Sequence, residues 1–316
     1  MENLKKHKEK RIIAIPFAYE EGMNTGVNTS AKNAAEEYLQ SACVAAASAK
    51  HHNPDCTVAL VTNISSEMLA PYSDVLKLHG VEIIEAPFDR YRFDKDYRWA
   101  LAFYKLCALE YIAELGYDKL CYFDSDVYVQ GSLDRAWEEC EESILLLNFL
   151  NRNGKGYHIM CDELTAFTGS TEPMRITFYG GEFFMADAET ARRFTEEAHA
   201  IFDKMIADGF KTTKGDEFIL NLAAERMKDR VKSARAYIFR FWTGPGYRLV
   251  PDSYRVDPVA VLHMPDEKNH GLPILYRKYI VKGELPENSR VWKVCRLNGI
   301  TLKDRAIRLV FGLNRK

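Results

Sequence analysis

The chain has 316 residues, 47% of them hydrophobic and 28% charged, which is ample for one large α/β domain, alone or with a small C-terminal appendage. Its 43 Lys and Arg against 45 Asp and Glu leave a formal net charge of −2, so a global basic field for nucleic acid is excluded. Seven Cys, at positions 43, 56, 107, 121, 140, 161 and 295, include no C-x-x-C pair and read as reduced, buried thiols of a cytosolic protein. The Lys-rich stretch Met1 to Arg11 lacks the apolar run of a signal peptide, and no window reaches the eighteen apolar residues of a membrane span. The expected location is therefore cytoplasmic.

Arg11 to Tyr19 reads as a buried strand ending in a loop, and Ala34 to Lys50, rich in Ala, as a long helix. Thr57 to Thr62 is a second strand closed by Asn63, Ser65 to Leu78 a helix, and Val81 to Ile84 a third strand. Tyr97 to Leu115 has a helical pattern ended by Gly116. Arg98 and Lys105, seven residues apart, would share one face of it. They form either a pair of cations aimed at an anion or a solvated basic face. The apolar run Leu120 to Val129 follows, with Asp124 and Asp126 where its first strand ends. Strand–helix alternation predicts a mostly parallel sheet covered by helices. Ligands of such sheets bind beyond the carboxyl ends of the strands, where Asp124 and Asp126 fall. Two carboxylates two residues apart share a strand face and repel unless a cation lies between them. Hard oxygen ligands with open positions suit Mg²⁺ or Mn²⁺ carrying a diphosphate. The alternative is a solvated strand end bearing two ordinary acids.

Thr177 to Met185 reads as a strand interrupted by Gly180 and Gly181, a pattern that marks close approach by a ligand. Ala188 to Ile206 is an amphipathic helix, and Lys214 to Asn221 opens another. There Asp216 and Glu217 are either an ordinary N-cap and first-turn acid or functional carboxylates. His263 follows a strand-like run and precedes Lys268. Residues 276–316 carry eleven Lys and Arg against three Asp and Glu, interleaved with Trp292, Val294, Leu297, Ile300, Leu302, Ile307, Leu309, Val310, Phe311 and Leu313. This segment is a basic amphipathic helix suited to an anionic membrane surface, or a helix packed on the domain. The expected division is a domain over 1–275 and this segment over 276–316.

Tyr122 to Val129, followed by Gly131, resembles the metal-binding signature of GT-A-fold, nucleotide-sugar-dependent glycosyltransferases, in the manner of the retaining families that include glycogenin and bacterial lipopolysaccharide galactosyltransferases. Over roughly residues 95 to 230, the order of Gly-Gly strand, long helix and Asp216-Glu217-x-x-Leu220-Asn221 resembles the blood-group-type α-1,3-galactosyl and N-acetylgalactosaminyl transferases. The resemblance implies an α/β GT-A (Rossmann-like) fold and transfer of galactose, glucose or an N-acetyl form from a UDP-sugar, Mn²⁺- or Mg²⁺-dependent and with retention. The acceptor would be a cell-surface or lipid-linked glycan, reached from the inner face of the plasma membrane. Asp124, Asp126 and His263 would hold the metal. Ala14, Ile15, Tyr19, Arg98, Lys105, Ser125, Gly180, Gly181 and Lys268 would bind the donor. Glu217 would lie beneath the anomeric carbon and Asp216 would contact a sugar hydroxyl. The chain departs from the glycogenin type at Pro16, at Asp216-Glu217-Phe218 in place of Asp-Gln-Asp, and after His263, where the expected glycine is missing.

Three other functions compete. One is an inverting transferase with Glu217 or Asp216 as base. Another is a nucleotidyltransferase, against which stands the lack of a Gly-rich loop between Ile12 and Lys32. The last is a catalytically inactive glycan-binding protein of the same fold, against which stands the joint presence of Asp124, Asp126, Glu217 and His263.

Overall fold

Buried on both faces, the central strands read as continuous apolar runs for a structural reason. The computed structural model describes residues 8–23, 34–65, 67–150, 154–244 and 259–297, with Leu302, Ala306, Leu309 and Val310. Its strands are β1 (Arg11–Phe17), β2 (Thr57–Thr62), β3 (Glu82–Glu85), β4 (Lys119–Phe123), β5 (Val127–Val129), β6 (Ile144–Phe149), β7 (Phe178–Asp187), β8 (Val231–Ser233), β9 (Ile238–Arg240) and β10 (Val261–His263). Its α-helices before β10 include α1 (Ala34–His52), α2 (Tyr72–Leu78), α3 (Tyr104–Ala113), α4 (Asp134–Glu139), α5 (Lys155–Thr168), α6 (Ala188–Ala207) and α7 (Asp216–Arg226). Seven strands form the main sheet in the order β3-β2-β1-β4-β7-β6-β8. β7 alone runs against its neighbours; the other pairings are parallel.

Alternate residues of β1 enter different cores. Ile13, Ile15 and Phe17 pack with α1, whereas Ile12 and Ala14 join residues of α3, α6 and α7 on the opposite face. The architecture is thus the expected α/β class, a mostly parallel sheet flanked by helices. All seven Cys are buried and unpaired. No helix among the described residues is long and apolar enough to cross a membrane.

A second sheet, β5-β10-β9, sets the geometry of the site. The apolar run 120–129 is two strands in two sheets: β4 ends at Phe123, the chain turns through Asp124-Ser125-Asp126, and β5 pairs antiparallel with β10. In that register Val127 stands opposite His263, so the strand carrying His263 is fixed beside the aspartates. The Met264 amide also donates to the Asp126 carbonyl at 2.9 Å.

Several sequence expectations change. The helix expected from Ser65 is α2 alone, beginning at Tyr72 after turns at 67–70, because Pro71 disfavours helical backbone before it. In the Tyr97–Leu115 stretch, Arg98 lies in a turn ahead of a 3-10 segment, Ala100–Phe103, and only then does α3 begin. Arg98 and Lys105 therefore do not share one helical face. β7 is unbroken through Gly180 and Gly181. A helix over Gly271–Lys278 runs across positions 275 and 276, and another, Asn288–Val294, follows. That helix brings Trp292 Nε1 to donate to Gln130 Oε1 at 2.8 Å, and Cys295 and Leu297 beyond it are buried. In the basic segment, residues 298–301, 303–305, 307–308 and 311–316 lie outside the described residues.

Candidate functional site

A cavity of about 440 Å³ opens where β1, β4 and β10 end. Such a volume suits a small organic ligand. Its walls include Asp124, Ser125 and Asp126, Gly181, Asp216 and Glu217 at the start of α7, and His263 with Lys268.

Asp124, Asp126 and His263 offer one ligand atom each, all within 4.8 Å of one another. His263 Nε2 lies 3.2 Å from Asp126 and 4.0 Å from Asp124. Asp126 is 1% exposed at its side chain, and Lys268 Nζ stands 2.9 Å from it. Neither Asp126 oxygen receives a well-directed hydrogen bond despite these neighbours. A buried, under-satisfied carboxylate facing a second carboxylate and an imidazole is a donor set that can hold a divalent cation. Burial alone would raise the Asp126 carboxyl, but the Lys268 ammonium and His263 outweigh it and hold it far below the carboxylate range. Burial lowers His263, and Asp126 with Glu182 reverses this, pushing it up to about 9.

Behind His263 stand two residues that sequence reasoning missed. Glu182, fully buried in β7, lies 3.2 Å from His263 Nδ1. The Arg240 guanidinium of β9 donates to both Glu182 oxygens, at 2.8 and 2.7 Å. It also reaches Glu217 at 3.5 Å and stacks 4.4 Å from the Phe149 ring centroid. Burial opposes the charge on Glu182, but Arg240 and His263 prevail and its carboxyl is strongly lowered. Glu182, a lone charge in the buried middle of β7, was a signal that it has a partner, without telling which, since buried charges need partners.

Lys105 forms the other link. Its ammonium contacts Asp124 at 3.0 Å, Asp216 at 2.8 Å and the Gly181 carbonyl at 3.1 Å. All three donors are thus engaged by the protein, and Lys105 fixes Asp216 beside the Asp124 carboxylate. Asn221 holds α7 against β7: its side chain exchanges two 2.8 Å hydrogen bonds with the Tyr179 backbone and donates to the Glu217 carbonyl at 2.7 Å. Glu217 is a quarter exposed at its side chain. Burial raises its carboxyl, Arg240 counters, and Asp216 and Glu182 add to the rise, which reaches about 7.

The remaining sequence candidates divide. Arg98, Ser125, Gly181 and Lys268 line the cavity, but Ala14 and Ile15 do not. Both are buried within β1, on opposite faces of the sheet, and Pro16, Phe17 and Ala18 form the wall instead. β4 pairing stops at Ala14, so the chain becomes free to line a cavity only beyond it. Tyr19 packs on the core beside β1, its backbone held by Asn63 on both sides at 3.0 Å. The glycines make room for the protein's own charges. A Cβ on Gly181 would lie 2.6 Å from Asp216 Oδ2, and one on Gly180 would collide with the Glu182 carboxylate. Among the described residues, Arg98 and Lys214 line the cavity without an ion pair; the Arg98 guanidinium lies 5.1 Å from the Trp99 ring centroid.

No protein-family model matches this chain, and no curated protein matches it. Among solved structures, that of an active-site mutant of LgtC is similar to it at 18% identity, over 80% of this chain and 86% of that one, with a TM-score of 0.48.

The raised Glu217 carboxyl has a stability consequence. The unfolded chain releases this proton near the ordinary 4.5, whereas the folded chain keeps it to about 7, so stability is lost as pH rises through that window. Glu217→Gln cannot ionise and removes the loss. Thermal melts should show the substitution more favourable at about pH 8 than at about pH 4.5, by about 1–3 kcal/mol. Equal effects at the two pH values would contradict the raised carboxyl.

Proposed function

We propose that this chain is a GT-A-type glycosyltransferase. It transfers galactose, glucose or an N-acetyl form from a UDP-sugar to a cell-surface or lipid-linked glycan, with retention of configuration. The observation that carries the reading is convergence on one cavity: Asp124, Asp126 and His263 gather at one side, and the Asp216-Glu217 pair is held beside them through Lys105. Mn²⁺ or Mg²⁺ held by Asp124, Asp126 and His263 would stabilise negative charge on a departing diphosphate. Arg98 would reach phosphate oxygens, as could Lys214, which also lines the cavity, while Lys268 is already beside Asp126. Pro16, Phe17 and Ala18 would border the nucleoside. Cleaving the sugar–phosphate bond builds positive charge at the anomeric carbon, and Glu217 would face that charge as nucleophile or stabiliser. Asp216, immobilised by Lys105, would accept a sugar hydroxyl.

One observation favours a second reading. A carboxyl raised to about 7 is suited to a general base at neutral pH, so Glu217 would serve an inverting transferase that takes the acceptor's proton. The lysine-bound Asp216 is poorly placed for that task.

The basic, apolar residues beyond Leu297 would rest on an anionic membrane carrying the acceptor; Leu302, Leu309 and Val310 are exposed. Because the chain packs on the domain as far as Leu297, truncation there should spare donor hydrolysis and weaken binding to phosphatidylserine vesicles. Unchanged vesicle binding would remove the membrane role.

The function is tested by Mn²⁺-stimulated hydrolysis of UDP-sugars. Asp124→Asn is the preferred substitution, because Asp126 is buried against Lys268 and its loss would also destabilise the fold. Turnover should fall by about 10²-fold with the melting temperature nearly kept; normal turnover would contradict the metal role. The anomeric proton coupling of the transfer product, read by NMR, decides the stereochemistry. An α-product from an α-donor fits retention, and a β-product selects Glu217 as base.

A further inference from the structure

His263 has two ring nitrogens, and only one can face a cation held with Asp124 and Asp126. Its Nε2 lies on that side, 3.2 Å from Asp126. Its Nδ1 lies 3.2 Å from Glu182, which is fully buried and, among the described residues, has its charge balanced by His263 and Arg240. Arg240 grips both Glu182 oxygens, with its own plane pressed against Phe149. The Glu182 carboxylate therefore has little freedom to rotate. The backbone adds a further restraint, since the Asp124 amide donates to the Glu182 carbonyl at 3.1 Å. Gly180 is needed here, because any side chain at that position would collide with the Glu182 carboxylate.

We propose that Glu182 is a positioning residue for the metal site: it accepts a hydrogen bond from Nδ1–H of His263, so that Nε2 is presented toward Asp124 and Asp126, and Arg240 locks Glu182 in that pose. A carboxylate behind a ligating imidazole fixes the tautomer and ring orientation and makes the imidazole a stronger donor. The role rests on the metal-dependent reading above. It also makes Arg240 a physical link between the metal side and Glu217, which the same guanidinium reaches.

The test is Mn²⁺ affinity of the full chain with UDP present, followed by the electron paramagnetic resonance signal of free Mn²⁺. Two variants are compared, Glu182→Gln and Glu182→Asp, each checked for folding by circular dichroism. The aspartate keeps a negative charge for Arg240 but is one carbon short of His263. Both should bind Mn²⁺ about 10- to 100-fold more weakly than the unsubstituted protein. A folded Glu182→Asp protein with undiminished affinity overturns the positioning role, because charge balance alone would then account for Glu182, and a folded Glu182→Gln protein with undiminished affinity overturns the claim that a carboxylate behind His263 strengthens it as a donor. A measurement on the unsubstituted protein needs no variant to fold. With Zn²⁺ as a diamagnetic probe and ¹⁵N-labelled histidine, His263 should keep its Nδ1 proton and bind through Nε2; metal on Nδ1 overturns the proposal. An unsubstituted protein that binds neither ion overturns the metal reading itself, and the role of Glu182 with it.

Discussion

The His263 imidazole lies between two buried carboxylates, Asp126 on Nε2 and Glu182 on Nδ1, and the other charges of the site are arranged around that contact. Each acid would be costly in the interior by itself. Lys268 offsets Asp126, Arg240 offsets Glu182, and Lys105 offsets Asp124 and Asp216 together. Removing Lys268 or Arg240 would strip Asp126 or Glu182, both buried, of its cationic partner, at a cost of about 3–5 kcal/mol. The two acids push His263 up to about 9.

The same contact explains the two-sheet construction. Asp124 and Asp126 leave the end of β4, Glu182 comes from the adjacent antiparallel β7, and His263 and Arg240 come from the small sheet. A single sheet would place Asp124, Asp126 and Glu182 along one edge with nothing opposite. Crossing from β4 into β5 through the aspartate turn brings β10 and β9 against that edge. Asp124 and Asp126 then share one cavity with His263 and Arg240, and Glu182 is buried behind them. α7 closes the cavity on its other side, docked by Asn221 onto β7, so Glu217 is aimed by a helix and not by a loop.

Much of this was legible in the sequence where the signal is local. Doubly covered strands show as apolar runs, and β1, β2 and β4 fall where those runs predict. Asp124 and Asp126 stood out because they follow an apolar strand two residues apart, on one face, and His263 through the resemblance to the glycogenin-type families. The Glu182–Arg240 pair was illegible because its members are 58 residues apart and meet only across two sheets. The wall after β1 was misplaced because strand spacing alone does not tell where a neighbouring strand stops pairing. Lys105 was read from its helical position as a ligand for phosphate, and helical spacing carries no information about the carboxylates that surround it. The glycines of β7 were read as room for a ligand, yet the side chains they accommodate are Glu182 and Asp216.

The central claim is that Asp124, Asp126 and His263 hold a divalent metal at the floor of a nucleotide-sugar cavity. The most direct measurement is an anomalous difference map from crystals grown with Mn²⁺ and UDP. The account predicts one strong peak within bonding distance of an Asp124 oxygen, an Asp126 oxygen and His263 Nε2, with the diphosphate on its open side. Well-ordered UDP in the cavity with no peak there, or a peak held by other residues, would contradict it.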